Sequence, residues 1–126
     1  MKRILFLMIV LLTAGMVSAQ QKEASITAAG SAVHDFGDIK ESDGSVSHTF
    51  TVVNNGELPL VISRAVASCG CTQPEWTKEP IAPGKTGEIK VTFDTSGRPG
   101  PFTKTISVYS NGKTGNYVLT IQGNVK

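Results

Sequence analysis

The sequence predicts an all-β chain: an immunoglobulin-like antiparallel β-sandwich of about seven strands. Three observations lead there. Apolar and polar residues alternate over short runs, turn-forming Gly, Pro and Asn interrupt those runs about every eight to twelve residues, and nothing beyond the amino-terminal apolar run keeps a helical period. Length agrees, because 126 residues with 40% hydrophobic and 17% charged side chains suit one core and exclude multidomain enzymes.

The first residues stand outside that fold. Lys2 and Arg3 precede an apolar run from Ile4 to Leu12, and small residues ending Val17-Ser18-Ala19 follow. This order reads as a secretory signal peptide over residues 1–19, with a basic segment, a short apolar segment and a cleavage site. The apolar run is shorter than the roughly 18 residues of a membrane span, and no cysteine lies near the cleavage site to carry a lipid. Export to the periplasm or the cell exterior without a stable membrane anchor is therefore expected. Residues 20–126 form the single remaining domain, about 107 residues of the 126 and close to one sandwich. Its ten basic residues balance ten acidic ones once Lys2 and Arg3 leave, so neither a nucleic acid nor an acidic membrane is an expected partner.

The elements follow in order. Gln20 to Ala29 has little to bury beyond Ile26 and reads as a frayed entry or a weak first strand, and Ala32 to Ile39 as a short strand ended by Gly37-Asp38 and leading into a loop. Val46, His48, Phe50 and Val52 alternate with Ser47, Thr49, Thr51 and Val53, the cleanest strand signal in the chain. Asn54-Asn55-Gly56-Glu57 reads as a turn, and a hairpin there would continue into a strand from Leu58 to Ala67. Beyond Cys69-Gly70-Cys71 a proline-bearing loop is expected through Trp76 to a type II turn at Pro83-Gly84. Glu88 to Asp94 alternates again, with Ile89, Val91 and Phe93 on one face. Ser96 to Pro101 is too rich in Pro and Gly for regular structure. Phe102 to Tyr109, the turn at Asn111-Gly112-Lys113 and Asn116 to Val125 complete the chain.

Cys69-Gly70-Cys71 is the sharpest local feature, and it admits three readings. An exported pair two residues apart can form a disulfide if the chain bends at Gly70, and so small a ring would exchange more readily than a structural bridge. Such thiols also suit copper, but a structural zinc site wants four ligands. A metal would have to draw on Cys69, Cys71 and His48, and the hairpin pairing leaves His48 about 13 Å short of Cys69. The third reading is a pair that ends a strand and packs against Trp76. No serine stands in a nucleophile elbow, and Asp35, Asp38, Glu41 and Asp43 lack calcium-loop spacing. Neither catalytic residues nor a cofactor is expected.

Several elements together resemble a known family. His34-Asp35-Phe36-Gly37-Asp38-Ile39, His48-Thr49-Phe50, Asn54-Asn55-Gly56, Leu60-Val61-Ile62, Ser68-Cys69-Gly70-Cys71-Thr72-Gln73-Pro74 and Pro83-Gly84 are similar to a bacterial domain-of-unknown-function family, number fifteen-seventy-three, from about Val33 to Val125. The resemblance implies an immunoglobulin-like sandwich of the kind seen in major sperm protein, hydin-type repeats and pilus chaperones, which bind or scaffold. Gly70, Thr72 and Pro74 match its motif and, with Trp76, are the candidate binding loop. Cys69 and Cys71 are the candidate disulfide or redox pair. The expected function is an exported, non-catalytic module acting on an unidentified envelope or exported protein through edge strands or end loops. The alternative is a thiol-redox or copper-handling protein using the cysteine pair.

Overall fold

The alternating runs become strands in the computed structural model, which describes residues 22–126, so the signal-peptide reading of residues 1–19 lies outside the described residues. Eight strands form where about seven were expected: β1 (Ile26–Ala28), β2 (Val33–Ile39), β3 (Ser45–Asn54), β4 (Ile62–Ala67), β5 (Thr72–Trp76), β6 (Thr86–Asp94), β7 (Gly100–Ser110) and β8 (Asn116–Val125). They build two four-stranded sheets, β1-β3-β6-β5 and β2-β8-β7-β4. The inward rows of the two sheets supply the core. Val52, Ile89, Val91 and Phe93 from one meet Ile106, Val108, Leu119 and Ile121 from the other, each at most 1% exposed.

Three expectations are corrected. The segment after Cys71 is a strand, not a loop, although it contains Pro74. β5 is an edge strand, and Pro74 stands at a position whose missing N–H takes nothing from the ladder to β6. Gly100 and Pro101, assigned to an irregular loop, begin β7 and pair with Val125 and Asn124. The turn at Asn54 to Glu57 closes no hairpin. β3 pairs with β1 and β6, and the chain crosses to the other sheet before β4.

The pairing is also mixed rather than wholly antiparallel, since β2 runs parallel to β8 with an irregularity between Asp35 and Asp38. Gly37 sits in that irregularity at φ 68°, where a side chain would strain the backbone. The expected turn at Pro83-Gly84 forms, with Gly84 at φ 77° and Lys85 N–H donating to the Ala82 carbonyl at 2.9 Å. Ahead of β1 the chain touches both sheets: Ala24 bridges Gly112, while Ile26 pairs with Asn54.

Candidate functional site

Cys69-Gly70-Cys71 links β4, an edge strand of one sheet, to β5, an edge strand of the other. The link turns sharply with Gly70 exposed, and since Gly70 is not among the positive-φ glycines and no atom lies near its missing Cβ, a side chain would fit there without strain. That turn brings the two Cα atoms to 5.3 Å and the two sulfurs into bonding contact. Cys71 N–H points back at Cys69 Sγ at 3.2 Å, and its carbonyl accepts from Asp94 N–H at 2.9 Å. The Thr72 hydroxyl lies 3.9 Å from Cys69 Sγ and 3.7 Å from Cys71 Sγ. Cys71 and Thr72 are buried while Cys69 is half-buried, so solvent and any reductant approach through Cys69.

Trp76 does not join this group. Thr72 pairs with Phe93 and Trp76 with Ile89, so the indole stands at the far end of β5, about 13 Å along the strand. The aromatic beside the cysteines is Phe93, stacked on Phe102 at 4.1 Å. Trp76 packs half-buried against the core, and Lys78 Nζ covers its ring at 3.2 Å from the centroid. Pro74 and Trp76 are therefore strand residues and not members of a loop.

His48 is separated from the cysteines as well. It pairs with Val91 on β6, two strands from Pro74 and further from Cys71. Its partner is His34, whose ring lies parallel to it at 3.6 Å across the gap between the two sheets. Each strand carries His-x-Phe, and period two places both rings on the inner face. Phe36 meets His34 edge-on at 4.6 Å, and Phe50 meets His48 in the same way at 4.6 Å. Burial first, and the neighbouring His34 second, hold the His48 pKa below its ordinary value. Among the described residues no three His, Cys, Asp or Glu side chains come together as a metal site would require.

Sequence reasoning missed the first half of β3 as a surface. β1 covers β3 only from Val52 to Asn54, so from Ser45 to Phe50 the outer edge of β3 pairs with no described strand. A signal existed, since Ser45 to Thr51 contains no charge, Pro or Gly, but edge position follows from topology and not from local sequence.

The family model for proteins of unknown function called DUF1573 matches residues 26–125. The chain belongs to that family. No curated protein matches. Among solved structures, a protein of unknown function from Porphyromonas gingivalis W83 is similar at 13% identity and TM-score 0.68, over 87% of this chain and 51% of that one. The DUF1573 chain thus spans about half the length of that protein. A human CEP192 domain described as ASH/PapD-like is similar at 8% identity and TM-score 0.61, over 89% and 91% of the two chains. The YadV chaperone is similar at 12% identity and TM-score 0.54, over 82% and 52%. At these identities the likeness shows the fold alone, an immunoglobulin-like β-sandwich.

Proposed function

We propose that this DUF1573 protein is an exported, non-catalytic binding or structural module of the cell envelope, acting on another envelope or exported protein through its strand edges or end loops. The unpaired outer edge of β3 from Ser45 to Phe50 carries the reading. A row of backbone donors and acceptors without a described partner is a surface that recognises extended protein segments. A chaperone, YadV, is among the proteins of similar fold, which agrees with a binding role. The amino-terminal sequence supports export, and the near-balance of charge beyond it supports a partner that is neither nucleic acid nor membrane.

The test is site-specific photocrosslinking in cells expressing the full chain, with the crosslinker placed in turn at each sheet edge, at Gly70 and on the outer face at Gln122, whose strand is paired on both sides. A discrete protein adduct from an edge or end loop, absent from Gln122, is expected. No adduct from any edge or loop position would end the proposal. Cell fractionation and the mass of the mature chain, beginning at Gln20, test export.

The contact between Cys69 and Cys71 sulfurs favours a second reading, a thiol-redox or copper-handling protein. Mass measurement after alkylation, with and without prior reduction, reads whether the pair is oxidised. A Cys69→Ser chain with unchanged metal content and unchanged phenotype removes this second reading.

A further inference from the structure

The strand edges of the sandwich are not equivalent, and their backbone bonds show why. On β5 the even residues turn away from β6, because Cys71 and Thr77 bond toward it, and Pro74 leaves that outer row without a central donor. On β2 the outward Val33 has both its N–H and its C=O on the Ser31 hydroxyl, at 3.0 and 2.8 Å, and Asp35 Oδ1 takes Gly37 N–H at 2.7 Å. β4 is short, irregular between Ile62 and Arg64, and carries the Arg64 charge, and the part of β7 that it leaves uncovered, Gly100 to Lys104, has Pro101 without a donor in its outward row. β1 is closed by the Tyr117 hydroxyl on Ala28 N–H and by the bridge from Ala24 to Gly112. Each of these edges is shortened, bent, charged or capped, the devices by which sheets refuse an added strand.

The first half of β3 has none of them. Asn54 N–H bonds toward β6 and Asn55 N–H toward β1, so the odd residues face outward, and the register from Ser45 to Val53 is unbroken. Ser47 and Thr49 therefore offer both backbone groups to solvent among the described residues. The row ends at Thr51, whose carbonyl is taken by Ala29 N–H at 2.8 Å. Beside it lies an open depression lined by Gly30, Ser31, His48, Thr49, Phe50 and Thr51. The outer face behind the row carries Glu75, Glu88 and Asp94 against Lys90, and Arg98 acts on Asp94 from beside it, so the acidic excess of this face lies at Glu75 and Glu88.

Resting on the proposed binding role, we infer that the β3 edge from Ser45 to Phe50 receives an extended segment of a partner protein whose apolar residues alternate with basic ones. The basic residues lie beside Ser47 and Thr49 within reach of the acidic face, and the apolar ones cover His48, Phe50 and the depression. A second copy of this chain fits less well. Antiparallel pairing of the edge with itself stops at Thr51, whose carbonyl the Ala29 N–H holds, so it spans at most Ser45 to Thr49, and it sets the two acidic faces side by side. The chain ahead of Ile26 departs from the Asn54 end of β3, about 17 Å from Thr49, so described residues carry it away from the open half.

The test uses the folded mature protein and the capped heptapeptide Lys-Val-Lys-Val-Lys-Val-Lys, followed by amide NMR. Binding is expected to shift the Ser47 and Thr49 amides and protect them from exchange, and the Glu-Val counterpart should bind at least tenfold more weakly. N-methylation of the lysine amides should abolish binding, whereas N-methylation of the valine amides should not. Thr49→Pro should weaken binding at least tenfold, and Ala65→Pro, on the outward row of β4, should leave it unchanged. Protection moving to Ala65 and Ala67 would overturn this assignment yet keep edge binding as the function. Equal binding of both peptides would overturn the partner chemistry. Shifts of Ser47 and Thr49 that follow protein concentration without peptide would make a second copy the occupant. No binding by any peptide overturns the inference, and the crosslinking adducts then decide separately whether the general reading stands.

Discussion

Asn54 is wholly buried and fully bonded, which makes it the polar residue on which the local chain path depends. Its Oδ1 accepts from Ser25 N–H at 3.2 Å and Gly56 N–H at 2.9 Å, while its Nδ2 donates to the carbonyls of Leu58 at 2.7 Å and Ile81 at 2.9 Å. One amide therefore ties β1, the crossing after β3 and the segment before β6. Asn54→Ala leaves four backbone groups without that partner and should cost at least about 3 kcal/mol in urea unfolding. Asn54→Asp keeps the acceptor but turns an oxygen toward two carbonyls, so it should rescue little. A loss below about 1 kcal/mol in either variant would show that water replaces the amide. Gly56 is as constrained for another reason: a Cβ there would run into the backbone of Glu23, Ala24 and Ser25. Gly56→Ala should detach the start of β1, read as faster hydrogen exchange at Asn55 and Glu57, whose N–H groups bond Ser25 and Glu23.

Among the elements, the central strands were legible because alternation and burial agree in them. Ile89, Val91 and Phe93 alternate with polar residues and are buried as their spacing predicts. β5 was hidden because Pro74 signals a break, and only its edge position makes that proline harmless. Pro74→Thr restores an outward N–H to β5. It should leave the melting temperature almost unchanged and raise concentration-dependent association in light scattering; an unchanged monomer would mean that β5 is blocked by something other than its proline. The Cys69-Gly70-Cys71 link was legible as chemistry but not as a connection between sheets, since the motif says nothing of where the next strand goes. Under the proposed oxidised state the bridge closes a ring of only three residues, for which the chain-entropy relation gives about 1.5 kcal/mol. Reduction, or the Cys69→Ser and Cys71→Ser double variant, should lower unfolding stability by no more than that and preserve the strand circular dichroism. A larger loss would assign the bridge a structural duty that its ring size does not predict.

At the scale of the whole molecule, what local sequence could not convey is which sheet each strand joins. The turn residues at Asn54 to Glu57 suit a hairpin, yet they serve a crossing between sheets, and so His48 pairs with Val91 on β6 and not with the strand that follows the turn. The pairing that does form, His34 on β2 with His48 on β3, joins the two sheets at one side of the sandwich through rings 3.6 Å apart. This contact makes stability depend on pH. Burial and then His34 lower the His48 pKa from its ordinary 6.5, so below that pH the unfolded chain binds a proton that the folded chain resists. Stability is then full above about pH 6.5, falls as pH drops from there through the lower folded value, and levels beneath it. Asp38, held low by Lys126 and Asn124, and Asp94, held low by Ser96, act in a separate window. Their contributions persist above the ordinary 3.8 and are lost only as pH falls below it. The urea midpoint should therefore decline between about pH 7 and pH 5, before these carboxylates titrate. His48→Phe keeps a flat ring against His34 and should remove most of that slope, whereas His34→Phe should leave the part due to burial. An unchanged slope in His48→Phe would show that the acid sensitivity arises elsewhere and that the stacked pair joins the sheets without sensing pH.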